Sequence, residues 1–303
     1  MTAIKSGYLI VAVFGLLLTL ASKHVSAVVS ARDDCGNTVT LQQPAQRVVS
    51  LAPHITELLF AAGGGDHVVG TSRYSDFPEQ ANRIPQIGDS HAVDLERVIA
   101  LRPELLVIWM HGSPTRQVAQ LQTLGIPMFC IEAHKLDDIP DSLVRLGKLL
   151  GTDQVAQQAA LGMRKKLSAL SKQYAQQSPV RVFYQIWGKP LYTLNGEHIV
   201  SDAIRLCGGR NIFADLKVAA PSVELESVLQ ADPEAIIGTA ERSTSDEGIY
   251  SWKRYPILTA VQRENLFSID GVLLNRAGPR MIDGVTQLCE RLALARQHRK
   301  MQP

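Results

Sequence analysis

One phrase occurs twice in this chain. Val93 to Ile108 reads VDLERVIALRPELLVI, and Val223 to Gly238 reads VELESVLQADPEAIIG, with Val, Leu, Glu, Val, Pro and Glu recurring in register. Each copy predicts a short helix that carries Glu96 or Glu226 in its first turns, then a Pro-Glu turn and a β-branched strand. A unit repeated once, roughly 130 residues apart, points to two similar lobes, each with a carboxylate in the same structural place. Such a pair suits docking onto a two-fold symmetric partner. Helix-turn-strand units recur throughout α/β proteins, so coincidence is the rival reading, and the remaining segments decide between them.

Residues 1–27 carry Lys5, an apolar run from Tyr8 to Ala21 and the small residues Val25-Ser26-Ala27, the layout of a cleavable secretory signal. The apolar run is shorter than the roughly 20 residues that span a bilayer, so a soluble exported protein is expected. Cys35, within Arg-Asp-Asp-Cys, lacks the small and apolar residues that precede a lipid-modified cysteine. The formal charge is +2, and the basic clusters Arg164-Lys165-Lys166 and Arg296 to Lys300 form no stripe, which excludes a nucleic-acid partner.

The four cysteines are free to pair in an exported chain. Cys207, at the end of a helix over Val200 to Leu206, and Cys289, within the helical run Met281 to Ala295, are favoured as partners. Cys35 and Cys130 could form a second bridge in the first lobe, though sequence alone leaves three connectivities open. No CxxC spacing exists, so zinc and redox roles are not expected.

Asp33 to Leu41 reads as a hairpin around Gly36-Asn37. Strands follow at Arg47 to Leu51, His67 to Thr71, Leu105 to Met110 and Ile126 to Ile131, separated by helical segments, which predicts a mostly parallel covered sheet. The glycines at 63–65 close a helix instead of opening one, so they read as a C-cap and turn and not a phosphate loop. The first lobe is set at residues 28–150. A connecting helix within 151–178, helical from Asp153 to Gln177, has apolar residues at 155, 159, 163, 167, 170 and 174 on one face. The second lobe, residues 179–303, has strands near Val180 to Trp187, Leu191 to Leu194, Ala235 to Thr239 and Leu266 to Ile269. The predicted fold is α/β: two Rossmann-like lobes joined by one long helix, which cannot hinge as loose strands can.

Five further motifs carry a resemblance: Arg47-Val-Val-Ser-Leu-Ala-Pro-His-Ile-Thr-Glu-Leu-Leu-Phe-Ala-Ala-Gly, Tyr74-Ser-Asp-Phe-Pro, Asp94-Leu-Glu-Arg-Val-Ile-Ala-Leu-Arg-Pro-Glu-Leu, Leu206-Cys-Gly-Gly-Arg-Asn-Ile-Phe and Arg276-Ala-Gly-Pro-Arg. With them the chain resembles the helical-backbone periplasmic substrate-binding proteins (class III) that serve ABC importers of vitamin B12, haem and ferric siderophores. It is most similar to the cobalamin-binding members. The resemblance implies a monomeric, non-catalytic periplasmic protein that carries a corrinoid, or alternatively haem or a ferric siderophore, to an inner-membrane permease dimer. It supports the Cys207 to Cys289 bridge and gives Glu96 and Glu226 a role in pairing with permease arginines, where a bidentate carboxylate fixes orientation. The rival for both glutamates is a first-turn residue favoured by the helix dipole.

The same resemblance places Tyr74, Trp109, Tyr192 and Arg276 at the interlobe cleft, with Trp187 close by. A flat macrocycle needs such aromatic walls and a few polar groups for its edge. Core packing is the rival for Trp109, Trp187 and Tyr192, and for Arg276 it is an ion pair with a carboxylate across the lobe. Two departures matter. Ser90-His91 and Ala219-Ala220 stand where the cobalamin-binding relatives have tryptophans, which makes room for a different corrinoid or a larger ligand. His91 is the candidate iron ligand of the haem alternative; His54 and His111 are expected to be structural or to line the cleft. No resident cofactor or metal is expected. The chain has no GxSxG elbow, HExxH or P-loop, and so no residue set that argues for an enzyme.

Overall fold

The computed structural model describes residues 28–89, 92–239 and 248–301. The signal-like residues 1–27 and His91 lie outside these. The chain enters through an antiparallel hairpin of β1 (Val29–Arg32) and β2 (Thr38–Leu41), turned at Gly36, whose φ of 88° suits glycine. The first lobe then runs β3 (Val48–Ser50), α1 (Pro53–Ala61), β4 (Val68–Thr71), α2 (Leu95–Ala100), β5 (Leu105–Ile108), α3 (Thr115–Gln122), β6 (Met128–Cys130) and α4 (Asp138–Leu150). Pro53 starts α1 where its missing N–H costs nothing, and Gly63, at φ 85°, turns the chain out of it. The glycine run is thus the helix exit expected from the sequence.

The connecting helix α5 spans Asp153–Tyr174, about 33 Å at 1.5 Å per residue. It stops short of Gln177 because Pro179 follows and the residue before a proline disfavours helix. Its buried face is Ala156, Ala160, Met163, Leu167 and Tyr174. Val155, expected on that face, is exposed and sits over the Gly63 turn at its rim.

The second lobe comprises β7 (Val180–Gln185), β8 (Trp187–Gly188), β9 (Leu191–Tyr192), α6 (Ile199–Leu206), β10 (Gly209–Asn211), α7 (Leu225–Ala231), β11 (Ala235–Thr239), α8 (Thr259–Gln262), β12 (Leu266–Ile269), α9 (Gly271–Leu274) and α10 (Met281–Met301). The first sheet has the order β4-β3-β5-β6 and the second β10-β7-β11-β12, and every pairing within them is parallel. Numbered by appearance within its own sheet, each reads 2-1-3-4. One expected strand is misplaced. Leu191 to Leu194 contributes only β9, which pairs with β8 in a separate antiparallel hairpin, and the sheet edge is β10 instead. The Gly-Arg-Asn of β10 carries no apolar alternation by which a strand could be recognised.

Alternate residues of the central strands face opposite layers. Leu105 and Val107 of β5, with Val182 and Tyr184 of β7, face a single core that runs through α4, α5, α6 and α10 and unites the lobes. Leu106 and Ile108 face a second core with Val98 of α2, while Phe183 and Ile236 face a third with Val228 of α7. The two helices of the repeated phrase therefore cover equivalent outer faces. Cys207 bonds to Cys289, the favoured pairing, and Cys35 to Cys130, the pairing the sequence left open; the first ties α6 to α10, the second the entry hairpin to β6. Among the described residues no helix is long and apolar enough to cross a membrane.

Candidate functional site

The copies of the repeated phrase fold alike. Glu96 is the second residue of α2 and Glu226 the second of α7, and burial runs identically from Val93 to Val98 and from Val223 to Val228, with both glutamates exposed. Neither forms an ion pair among the described residues. Asp94 caps α2 by accepting from Arg97 N at 2.9 Å, whereas Glu224 makes no such bond. Behind each helix sits an arginine to which the sequence alone assigned no role. Arg47 donates to the carbonyls of Leu101 and Arg102, and Arg181 to those of Ala231 and Asp232, satisfying the helix C-termini. Glu104 and Glu234 in turn accept from the backbone N of Gln46 and Arg181. The signal was available: Arg-Val-Val and Arg-Val-Phe lie at the start of the first strand of each four-stranded sheet.

Segments that follow β3 and β12 meet across the lobes through Glu57 and Arg280, beyond the carboxyl ends of those strands, where open α/β sheets bind ligands. Trp109 directly follows β5 and is 37 % exposed, so it is not a core residue. Its indole meets His54 edge-on at 5.2 Å and donates from Nε1 to Glu132 Oε1 at 3.1 Å. Gly112 lies so close to the ring that a Cβ there would be 1.9 Å from Cε3. Trp187 and Tyr192 pair across the β8-β9 hairpin, and both are exposed. Trp187 Nε1 donates to the Lys189 carbonyl at 2.8 Å, and Val223 N donates to the Leu191 carbonyl at 2.9 Å, which ties the hairpin to the approach of α7. Tyr74, after β4, is strongly exposed with φ of 68°.

Arg276 is not free. It donates to Asp76 Oδ1 at 3.1 Å and lies 3.8 Å from Glu57 Oε1, the cross-lobe ion pair that its motif allowed. Glu57, whose side chain is 2 % exposed, is held by both oxygens: Arg280 Nη2 donates to Oε1 at 2.6 Å and Nε to Oε2 at 3.0 Å. Arg280 also stacks on Phe77 at 4.1 Å from the ring centre. Glu57, Asp76 and Phe77 come from the first lobe and both arginines from the second, so the group is a clasp across the junction. Burial, with the Arg276 guanidinium adding to it, pulls His54 down to about 4, so His54 is neutral here. The buried Tyr184 phenol is pushed up and donates to Asn275 Oδ1 at 2.5 Å, fixing the residue beside Arg276.

A second tether lies further along the junction, where Leu136 N donates to Asp202 Oδ2 at 2.9 Å. Near it a groove of about 400 Å³ is lined by His134, Lys135, Gly196, Glu197, Asp202 and Arg205, with none of the expected aromatic residues. His198 caps α6 by accepting from Val200 N, and burial, then His134, pulls it down to about 4. Among the described residues no group of His, Cys, Asp or Glu is arranged to hold a metal ion by itself.

A family model for periplasmic binding proteins matches residues 48–273. The vitamin B12-binding protein of Vibrio cholerae is 38 % identical over 255 residues, which is 84 % of this chain and 91 % of that protein. The crystal structure of the periplasmic vitamin B12 binding protein BtuF of Vibrio cholerae superposes with a TM-score of 0.77 at 37 % identity, covering 84 % of this chain and 98 % of that one. A periplasmic heme binding protein from Pseudomonas aeruginosa superposes with a TM-score of 0.68 at 25 % identity, covering 81 % and 91 %.

Proposed function

The chain belongs to the periplasmic binding protein family, and we propose that it captures cobalamin or a related corrinoid between its lobes and delivers it to an ABC importer of the inner membrane. It acts in the periplasm as a monomer, exported by the leader in residues 1–27, and performs no catalysis. The observation that carries this reading is the extent of likeness to vitamin B12-binding proteins, 38 % identity over 84 % of the chain, and it is supported by the exposure of the aromatic residues Tyr74, Trp109, Trp187 and Tyr192.

In this reading Trp109, Tyr74, Trp187 and Tyr192 supply flat apolar walls, and Arg276 donates to the amide oxygens at the edge of the macrocycle. Arg276 begins that task already paired with Asp76, so the ligand shares its guanidinium, whose five donors permit this. Glu96 and Glu226 each meet an arginine of one permease subunit. Exposed pairs contribute only about 1 kcal/mol each, so they set register more than affinity. The buried clasp and the single connecting helix hold the cleft nearly at its working width, and docking posts on the two lobes stay a fixed distance apart.

Haem is the second reading, favoured by the superposition on a heme binding protein. Calorimetric titration with cyanocobalamin, and hemin in parallel, tests the first. Tight one-to-one cobalamin binding that weakens at least tenfold in Trp109→Ala is expected; hemin binding with no cobalamin binding overturns the corrinoid reading.

A further inference from the structure

The residues already given a role leave one oriented donor unused. His111 sits at the tip of the turn that follows β5, with its side chain 72 % exposed. Its Nδ1 lies 2.8 Å from Glu132 Oε2, and its backbone N donates to the same oxygen at 3.2 Å. The other oxygen of that carboxylate holds the Trp109 indole. Glu132 is itself fixed: its side chain is 13 % exposed, and its backbone N donates at 2.8 Å to Asp34, which pairs with Arg145 at 2.6 Å. An ionised carboxylate only accepts, so the imidazole nitrogen facing it must carry the proton. In the neutral ring the lone pair is then on Nε2, the nitrogen not engaged by Glu132. A carboxylate behind an imidazole sets this tautomer and the orientation of the ring, as it does for histidines that bind metals.

One group therefore positions a flat aromatic wall and, two residues on, a nitrogen donor. We propose that His111 is an axial ligand to the cargo, its Nε2 coordinating the metal at the centre of a flat tetrapyrrole laid against Trp109. The shared chemistry is a cobalt(III) corrinoid or an iron(III) porphyrin. The inference rests on the binding function proposed above and deepens it by assigning a contact to the metal itself. The step is a ligand exchange: the Nε2 lone pair forms the new bond to the metal, the bond to an axial water breaks, the water leaves, and the oxidation state is unchanged. Glu132 is a positioning residue, acting through both Trp109 and His111. His134, whose ring lies 6.4 Å from that of His111 and forms no ion pair among the described residues, serves as the control.

The test uses aquocobalamin, whose axial water exchanges, beside cyanocobalamin, whose cyanide does not, and hemin. Each is titrated into the protein without a histidine tag, followed by visible absorption and calorimetry. Aquocobalamin, or the Soret band of hemin, is expected to shift on binding, with aquocobalamin held at least tenfold more tightly than cyanocobalamin. In His111→Ala the shift and the preference vanish while cyanocobalamin affinity holds, and added imidazole restores the shift. Glu132→Gln weakens the shift, and His134→Ala leaves it intact. Binding without a shift, or a shift that survives in His111→Ala, overturns this inference alone. Binding of none of the three overturns the proposed function and the inference with it.

Discussion

In the first lobe Arg47 holds the carbonyls at the end of α2 and Glu104 holds the backbone at Gln46; in the second, Arg181 and Glu234 do the same for α7 and β7. Strand order, outward burial of the helices and the place of the exposed glutamate also agree. The lobes diverge where they face each other. On one side a tryptophan is pinned by a buried histidine and a shared carboxylate. On the other, a tryptophan and a tyrosine stand on a two-residue hairpin outside the sheet. The difference separates two demands on one scaffold. Under the proposed function, a permease of paired subunits would require equivalence of the outer surfaces, while an asymmetric ligand would be served by unequal walls.

That comparison can be broken at several points. Reversing both posts, Glu96→Arg with Glu226→Arg, should abolish uptake in cells yet leave cobalamin affinity unchanged by calorimetry, and each single reversal should impair uptake to a similar degree. Normal uptake by the double variant would remove the docking equivalence. Next in size, Cys207→Ser should lower stability by about 4 kcal/mol through loss of a closed loop whose ends are 82 residues apart. Cys35→Ser, with a separation of 95, should cost a similar amount in denaturant melts if chain entropy governs both lobes.

A third prediction concerns acid. His54 is neutral when folded, at about 4, while the unfolded chain takes up that proton near its ordinary value of 6.5. The unfolded state therefore binds more protons in this window. Stability should fall as pH drops from about 6.5 and level off below about 4, by on the order of 2 kcal/mol near pH 5. His198 of the second lobe, also pulled down to about 4, adds a similar contribution in the same window, so a His54→Gln variant should remove about half of the combined slope in urea titrations; an unchanged slope would place the acid sensitivity elsewhere. Smallest, Arg47→Ala and Arg181→Ala should each cost about 1 kcal/mol, the worth of the helix-end hydrogen bonds. A clear inequality between the two would limit the symmetry to geometry.

The sequence made the repeat, the parallel lobes, the connecting helix and the Cys207 to Cys289 pairing legible through local periodicity and motifs, whereas the Cys35 to Cys130 bridge stayed one of several open connectivities, because no local pattern links residues 95 positions apart. The edge strand β10 was hidden, since three residues of Gly-Arg-Asn are held by their neighbour and not by pattern. The stripe on α5 was read one residue off at its start, where Val155 follows the period but lies beyond the core edge. Glu57, Arg276 and Arg280 were present in the motifs, yet their meeting joins positions 57 and 280, and no spacing rule predicts contact at that distance. Glu132 was invisible for the same reason: its importance comes from Trp109 and His111, which only the fold sets beside it.

The clasp of Glu57 and Arg280 has a bearing on traffic at the membrane. A carrier held near one width offers its permease the same pair of contacts whether it is full or empty. Empty molecules then compete with laden ones for the same berth. Flux under the proposed function should rise with the amount of carrier only while ligand keeps pace, and decline when carrier is in excess, so the cell gains by keeping this protein scarce relative to what it carries.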